Sequence, residues 1–375
     1  MITRAPAEIG MRLDEVDTPA LLIDLDAFER NIARMRAAIA KYPVRLRPHS
    51  KTHKCAVIAH RQVAAGAVGL CCQKVGEAEA LVHGGVKNVL VSNEIVGKAK
   101  IARLAALARE AEMSVCADDA GNVAKLGEAA SALRTRLAVL VELNVGANRC
   151  GVEDAEGALA LARLIASTPG LRFGGLQAYH GSAQHIRDYG ERRDAIERAA
   201  AKVEGAVALL ARNGLACELV TGAGTGTYLF EAASGVYNEL QAGSYIFMDA
   251  DYRRNGGNPE AAPGDEFEQS LFVLSTVMSR PVRERAVIDA GMKAQSVDSG
   301  LPLVADFPDV EYVGASDEHG TLALRDPGRR LAIGEKIRLV PGHCDPTVNL
   351  HDWYVGYRGD RVEALWPIVA RGPGY

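Results

Sequence analysis

The chain is predicted to be an α/β protein: a (β/α)8 barrel followed by an antiparallel β-rich domain. Three features predict it. Over the first two thirds, short β-branched runs alternate with longer helical patterns, the signature of parallel βαβ units. Eight such runs fall before residue 252. After it, strand-like runs separated by Gly, Asp, Asn and Pro continue without a long amphipathic helix. The expected boundaries are 24–252 for the barrel and 253–375 for the β-rich domain, with the N-terminal segment 1–23 pairing to the latter.

The first helix begins near Asp26, where Phe28, Ile32, Met35 and Ile39 share one face. Asp24 or Asp26 can cap its free N–H groups. Barrel strands are expected at 44–48, 67–71, 88–92, 114–117, 137–143, 171–178, 217–221 and 239–246. Helices are expected at 76–83, 96–112, 122–133, 153–166 and 186–213. A Rossmann-type sheet is the alternative. Its glycine fingerprint should open the chain, but the Gly-rich loop Gly222-Ala-Gly-Thr-Gly-Thr227 comes late and has Thr227 where a third glycine is needed. Arg253-Arg-Asn-Gly-Gly-Asn-Pro reads as a turn-rich connection. Strands then follow at 270–278, 285–289, 310–313, 321–324, 336–340, 353–357 and 362–368.

The 375 residues suit one large domain plus a smaller one, and a net charge of −4 gives no general attraction for nucleic acid or anionic lipid. No apolar run is long enough to span a membrane, and the first ten residues lack the apolar core of a signal peptide. Seven cysteines without a CxxC pair fit a reducing cytoplasm better than a disulfide framework.

Four groups of residues can carry chemistry. Lys51 follows the first barrel strand, where side chains at strand C-termini face a barrel's active site. Its neighbours Arg47, His49, His53 and Lys54 form a crowd of cations that favours the neutral, nucleophilic amine. The second group is Thr221 to Thr227 after the seventh strand, with Gly243, Ser244 and Tyr245 from the eighth. Glycine backbone N–H groups and threonine hydroxyls suit a phosphate, and barrels often bind one at these two loops. Third, the fifth and sixth strands end in Glu142, Asn144, Asn148 and Arg149, and in Gln177, Tyr179 and His180. Tyr179 can stack on a planar heterocycle; Gln73 and Glu142 are weaker candidates. Fourth, His343 and Asp345 lie two apart, so on an extended segment both emerge on one side and can ligate a divalent cation. Cys344 between them would point away; as a nucleophile it would need a paired base.

Thr18-Pro-Ala-Leu-Leu-Ile-Asp-Leu-Asp-Ala, Arg47-Pro-His-Ser-Lys-Thr-His-Lys54, Val75-Gly-Glu-Ala-Glu79 and Pro341-Gly-His-Cys-Asp-Pro-Thr-Val-Asn349 together resemble the D-threonine aldolase and D-serine dehydratase family of alanine racemase-like, fold type III pyridoxal-phosphate (PLP) enzymes. The resemblance runs over essentially the whole chain. It implies a PLP barrel, a C-terminal β domain and a homodimer. It makes Lys51 the Schiff-base lysine, with Arg149, Gln177 and Tyr179 around the cofactor ring. Thr221, Gly222, Gly224, Thr225, Gly243, Ser244 and Tyr245 would hold the phosphate end. His343 and Asp345 would be the metal ligands. His-x-Asp matches the aldolase members, whereas the dehydratases show His-x-Cys, and a carboxylate favours manganese or magnesium over zinc.

The expected activity is reversible cleavage of a D-β-hydroxy-α-amino acid, such as D-threonine, to glycine and an aldehyde. The base that deprotonates the β-hydroxyl is His53, His180 or metal-bound hydroxide. The rivals are a D-serine or 3-hydroxy-D-aspartate dehydratase, a 3-hydroxy-D-aspartate aldolase, an amino-acid racemase and a non-catalytic PLP-binding protein.

Overall fold

Asp24 starts the first helix: its Oδ1 accepts the Ala27 N–H at 3.0 Å, so Asp24 rather than Asp26 is the cap. Strand β1 (Ala20–Asp24) runs into helix α1 (Leu25–Ile39), which buries Phe28, Met35 and Ile39 as its periodicity requires. The computed structural model describes residues 4–257, 259, 266–326 and 328–372. It divides into one unit of Met35–Lys51 and Ala56–Gly243, and another of Met1–Arg34, Thr52–Cys55 and Ser244–Gly372.

The first unit holds eight parallel strands: β2 (Arg45–Leu46), β3 (Leu70–Cys72), β4 (Asn88–Glu94), β5 (Glu112–Ala117), β6 (Leu137–Glu142), β7 (Leu171–Gln177), β8 (Leu219–Gly222) and β9 (Glu239–Leu240). They pair in the order β2-β9-β8-β7-β6-β5-β4-β3. A parallel bridge between His49 and Cys71, with Val68 N to Leu46 O at 2.9 Å and Cys71 N to Pro48 O at 3.0 Å, joins the two ends. The sheet therefore curls into a ring, and the open Rossmann alternative fails. Between the strands lie α2 (Ala56–Ala64), α3 (Val75–His83), α4 (Lys98–Leu107), α5 (Ala120–Leu133), α6 (Ala155–Ser167), α7 (Tyr189–Arg212) and α8 (Tyr228–Ala233). Cys71, Leu90, Cys116 and Leu140 fill the ring's interior, and Leu126, Val139, Ile165, Val203 and their neighbours pack in the layer between ring and helices. Parallel strands covered on both faces are apolar throughout, and all six residues of β6 are buried.

The other unit is a nine-stranded, largely antiparallel sheet. It comprises β1, β10 (Leu271–Val282), β11 (Arg285–Ile288), β12 (Leu303–Val304), β13 (Val310–Ala315), β14 (Gly320–Leu324), β15 (Lys336–Val340), β16 (Trp353–Arg358) and β17 (Arg361–Pro367), plus the one-turn helix α9 (Cys344–Val348). β1 pairs antiparallel with β10 and parallel with β16. Among the described residues no helix is long and apolar enough to cross a membrane.

Two local expectations need correction. The last barrel strand, expected over 239–246, stops at Leu240; after Gly243 the chain tightens into a 3-10 turn, Ser244–Ile246, so its N–H groups leave the ladder. The helix expected over 96–112 is only Lys98–Leu107, because Glu112 already pairs with Asn88 in the sheet. Helices α2, α8 and α9, of nine, six and five residues, were not anticipated. Of the turn-rich connection, Tyr252–Arg254 is a 3-10 turn, while residue 258 lies outside the described residues.

Arg47 does not stand beside Lys51 as a free cation. Its side chain turns into the ring, where Nε donates to Oε1 of the fully buried Glu239 at 2.8 Å and a terminal nitrogen donates to Asn88 Oδ1. Removing one partner strands a buried charge, whereas replacing both by apolar groups does not. Glu239→Ala should therefore lose about 3–5 kcal/mol of stability in urea unfolding. The double variant Arg47→Met, Glu239→Leu should lose much less; equal losses would contradict this account.

Candidate active site

The C-terminal ends of β2 to β9 carry most of the sequence-predicted residues. Lys51 sits in the 3-10 turn Ser50–Thr52 just past β2, with a partly exposed side chain. The turn is pinned on both sides. Ser50 Oγ donates to Cys71 O at 2.9 Å, and the Lys51 N–H donates to His49 Nδ1 at 3.3 Å. An imidazole that accepts at Nδ1 carries its proton on Nε2 when neutral. The Gln73 side-chain amide lies 2.8 Å from that Nε2 and Ser92 Oγ lies 3.4 Å from it; with the proton on Nε2 the amide has to meet it through its oxygen, and in that orientation Gln73 steadies the lysine turn through His49.

Gln177, at the end of β7, is buried and exchanges hydrogen bonds with Gln241: Nε2 to Oε1 at 3.3 Å one way, 2.7 Å the other. Gln241 Nε2 also donates to Thr221 Oγ1 at 2.9 Å, and Thr221 donates onward to Glu239 Oε1 at 3.1 Å. A hydroxyl has one proton. Thr221, expected as a phosphate donor, has committed that proton to Glu239 inside the ring. Its side chain is fully buried and engaged within the ring. Gln241 was not singled out from the sequence; its place just past β9 was the available signal.

The turn after β8 keeps its glycines for tight packing. A Cβ on Gly222 would meet Ala178 O at 2.3 Å, and one on Gly224 would meet Gln184 Oε1 at 2.4 Å. Beside them Thr225 is 8 % exposed, and its buried Oγ1 has no hydrogen-bond partner among the described residues. An orphaned buried hydroxyl in a glycine turn is the donor a phosphate oxygen would satisfy. Gly243 closes this unit.

Tyr179 follows β7, with the Arg149 guanidinium 5.7 Å from its ring centroid. Arg149 also lies 3.9 Å from Glu142. Burial, and then the charge of Glu94, push the Glu142 carboxyl up to about 8. Donor atoms of Glu94, Asp118 and Cys150 lie within 4.8 Å of one another, the one such trio among the described residues. His180 is half-buried beyond Tyr179, its pKa lowered by burial and by the charge of Arg198. The following turn, Gly181–His185, ends in the exposed His185, which was not picked out in advance.

The β-rich unit holds the rest. His53 is fully buried; its Nδ1 accepts the Cys55 N–H at 3.1 Å and its carbonyl accepts the Tyr354 hydroxyl at 2.8 Å. Ser244 Oγ lies 3.3 Å from Thr52 Oγ1, and Tyr245, 1 % exposed, packs its ring against Phe267. The 343–345 segment is not extended. His343 is the last extended residue, and Asp345 lies in the first turn of α9, because Asp249 Oδ2 accepts the Cys344 N–H at 2.9 Å and Thr347 Oγ1 donates to His343 O at 2.8 Å. Cys344 points into the core, fully buried, and burial holds its thiol well above the usual range. That removes it as a nucleophile.

His343 has a partner that sequence spacing could not reveal. Its Nδ1 lies 2.8 Å from Asp298 Oδ2, and Asp298 is itself held by Ser296 Oγ at 2.6 Å and Ser299 Oγ at 3.1 Å. Burial lowers the His343 pKa, but Asp345 and Asp298 outweigh it and the net shift is upward. A carboxylate on Nδ1 leaves Nε2 as the ligating nitrogen, the usual arrangement around metal-bound histidine. An imidazole with a nearby carboxylate suits a divalent ion of the manganese or magnesium kind.

Comparison with known proteins places these features. Residues 23–251 match the family model described as alanine racemase, N-terminal domain, and residues 270–357 match a putative serine dehydratase domain. A 3-hydroxy-D-aspartate aldolase of Paracoccus denitrificans is 49% identical over 99% of this chain and 96% of its own length. A D-threonine aldolase of Arthrobacter sp. is 47% identical over 98% and 96%. The crystal structure of a D-threonine aldolase from Filomicrobium marinum superposes with a TM-score of 0.95 at 51% identity, covering 98% of this chain and 99% of that one. A D-threo-3-hydroxyaspartate dehydratase from Delftia sp. gives 0.86 at 29%, covering 96% and 100%. The chain belongs to the alanine racemase-like family, in the branch of D-threonine aldolases and D-serine dehydratases, and is a lyase of the aldolase type.

Proposed function

We propose that the chain is a PLP- and divalent-metal-dependent aldolase that reversibly cleaves D-β-hydroxy-α-amino acids, D-threonine among them, to glycine and an aldehyde. The observation that carries this reading is a difference in similarity. Two aldolases match at 47–49% identity over nearly the whole chain, whereas the D-threo-3-hydroxyaspartate dehydratase matches at 30%. The same aldolases leave two substrates in view, 3-hydroxy-D-aspartate and D-threonine.

The residues fit the groups this activity needs. Lys51 would attach the cofactor, with Thr225 and the glycine turn at its phosphate end and Tyr179 and Arg149 beside its ring. His343 Nε2 and Asp345 would hold the metal. When bound, the cofactor supplies an electron sink for the breaking Cα–Cβ bond and the metal acidifies the substrate's β-hydroxyl.

The protein's own part is proton handling and orientation. Its lowered pKa leaves His180 a neutral imidazole near pH 7, able to take the β-hydroxyl proton. His53, enclosed and with Nδ1 committed to a backbone N–H, is the poorer base of the two. The Lys51 amine would return a proton to the glycine carbon. Seven free thiols support a cytoplasmic setting, and we take the working form to be a homodimer.

Incubation with PLP, manganese and D-threonine should yield glycine and acetaldehyde, and Lys51→Ala should lower the rate by on the order of 10³-fold or more. Ammonia and a keto acid in their place would move the assignment to a dehydratase. Asp298→Asn should weaken manganese binding by about 10–100-fold in calorimetric titration. Unchanged affinity would show that His343 needs no carboxylate partner.

A further inference from the structure

The turn after β8 is braced from behind by a buried acid. Thr227 Oγ1 lies 2.8 Å from Glu231 Oε1 and 2.8 Å from Gln184 Nε2, and the Gly224 N–H reaches it at 3.5 Å. A charged carboxylate can only accept, so the one hydroxyl proton of Thr227 goes to Glu231 and its lone pairs face Gln184 and Gly224. Gln184 Oε1 accepts the Gly226 N–H at 3.0 Å, and its Nε2 also approaches His180 O at 3.4 Å. The two threonines of the turn therefore differ. Thr225 has a hydroxyl left to give, and Thr227 does not.

Glu231 is 1 % exposed, and its Oε2 has no hydrogen-bond partner among the described residues. The titratable groups on the elements packed around it do not neutralise it. Tyr237 donates its hydroxyl to Ala178 O at 3.0 Å and is itself held neutral by burial and by the Glu231 charge. From α7, Tyr189 packs its ring on Phe230, and Arg192 donates to the carbonyls of Ile186 and Arg187. Burial pushes the Glu231 carboxyl up to about 7, against the Thr227 hydrogen bond. Near neutrality, then, this acid is balanced between two states. An arriving dianion tips the balance, because an enclosed neutral O–H costs less than an enclosed negative oxygen behind a second negative group.

We propose that Glu231 is a positioning residue for the phosphate turn, setting its inner wall through Thr227 and Gln184 and taking up one proton from solvent when a phosphate monoester dianion binds. This rests on reading the turn as the cofactor's phosphate site. Below the titration of Glu231 the proton is already in place. Above it, binding has to bring the proton in, so affinity falls by up to about tenfold per pH unit. Ionisation of the phosphate and of Lys51 also changes with pH, but it does so equally in a Glu231→Gln variant, whose side chain is neutral throughout.

The test is to titrate the cofactor-free protein with PLP, following its absorbance, one pH unit below and one above that titration. The dissociation constant of wild type relative to Glu231→Gln should rise roughly fivefold or more between the two. Thr227→Val should weaken binding at both, and Thr227→Ser should restore it. A constant ratio would overturn the role of Glu231 while leaving the phosphate site standing. No binding by wild type at either pH would remove the site and the proposal together. Should Glu231→Gln not fold, proton uptake by wild type, from calorimetry in buffers of different ionisation heat, decides the matter: no uptake above neutrality rejects the proposal.

Discussion

Glu239 holds together the parts of the barrel that its chemistry uses. One oxygen of this fully buried carboxylate takes hydrogen bonds from Arg47 and from Thr221. Arg47 belongs to the segment that ends in Lys51 and reaches on to Asn88 at the start of β4. Thr221 passes the connection to Gln241, and Gln241 to Gln177. The lysine turn, the strand before the glycine turn and the strand before Tyr179 are thus referred to one point. In a low-dielectric interior such a chain is strong when complete and costly when broken, which makes it a rigid reference for groups that must be placed to within a fraction of an ångström.

That network also revises what the basic cluster around Lys51 means. Arg47 carries its charge into the ring, where Glu239 offsets it, and His53 is fully buried. What the turn does present is His49, tied to the lysine's backbone and to Gln73 and Ser92. Orientation of the amine, rather than a local excess of positive charge, is the more direct consequence of this arrangement.

Much of the fold could be read in advance because its signals are local. A parallel strand buried on both faces shows as a short β-branched run, and α1 shows as apolar residues at helical spacing. The shared placement of Lys51, the glycine turn and Tyr179 was legible because a barrel puts strand C-termini on one face. The failures share a cause. Glu239 lies 192 residues from Arg47, and Asp298 lies 45 from His343, so no window along the chain joins them. Whether a threonine gives its proton to a ligand or to a carboxylate is equally invisible, and it separated Thr225 from Thr221 and Thr227. The 343–345 segment misled for a different reason: Asp249 and Thr347 supply the bonds that wind it into a helical turn, and spacing alone cannot anticipate them.

The choice between an aldolase and a dehydratase comes down to which proton leaves first. Cleavage of Cα–Cβ needs a base at the β-hydroxyl, whereas loss of hydroxide needs one at the α-carbon. A neutral imidazole suits the first task, and His180 is kept neutral by burial and by Arg198 rather than by a paired carboxylate. A carboxylate partner would raise its pKa and fill it with a proton near pH 7. His343 has that kind of partner in Asp298, an arrangement that fits an imidazole whose other nitrogen ligates better than one that moves a proton. The two imidazoles are thus set apart by their neighbours: one is left free to accept, the other is fixed to ligate. The two are therefore tuned in opposite directions, one by burial beside a cation and one by a paired carboxylate.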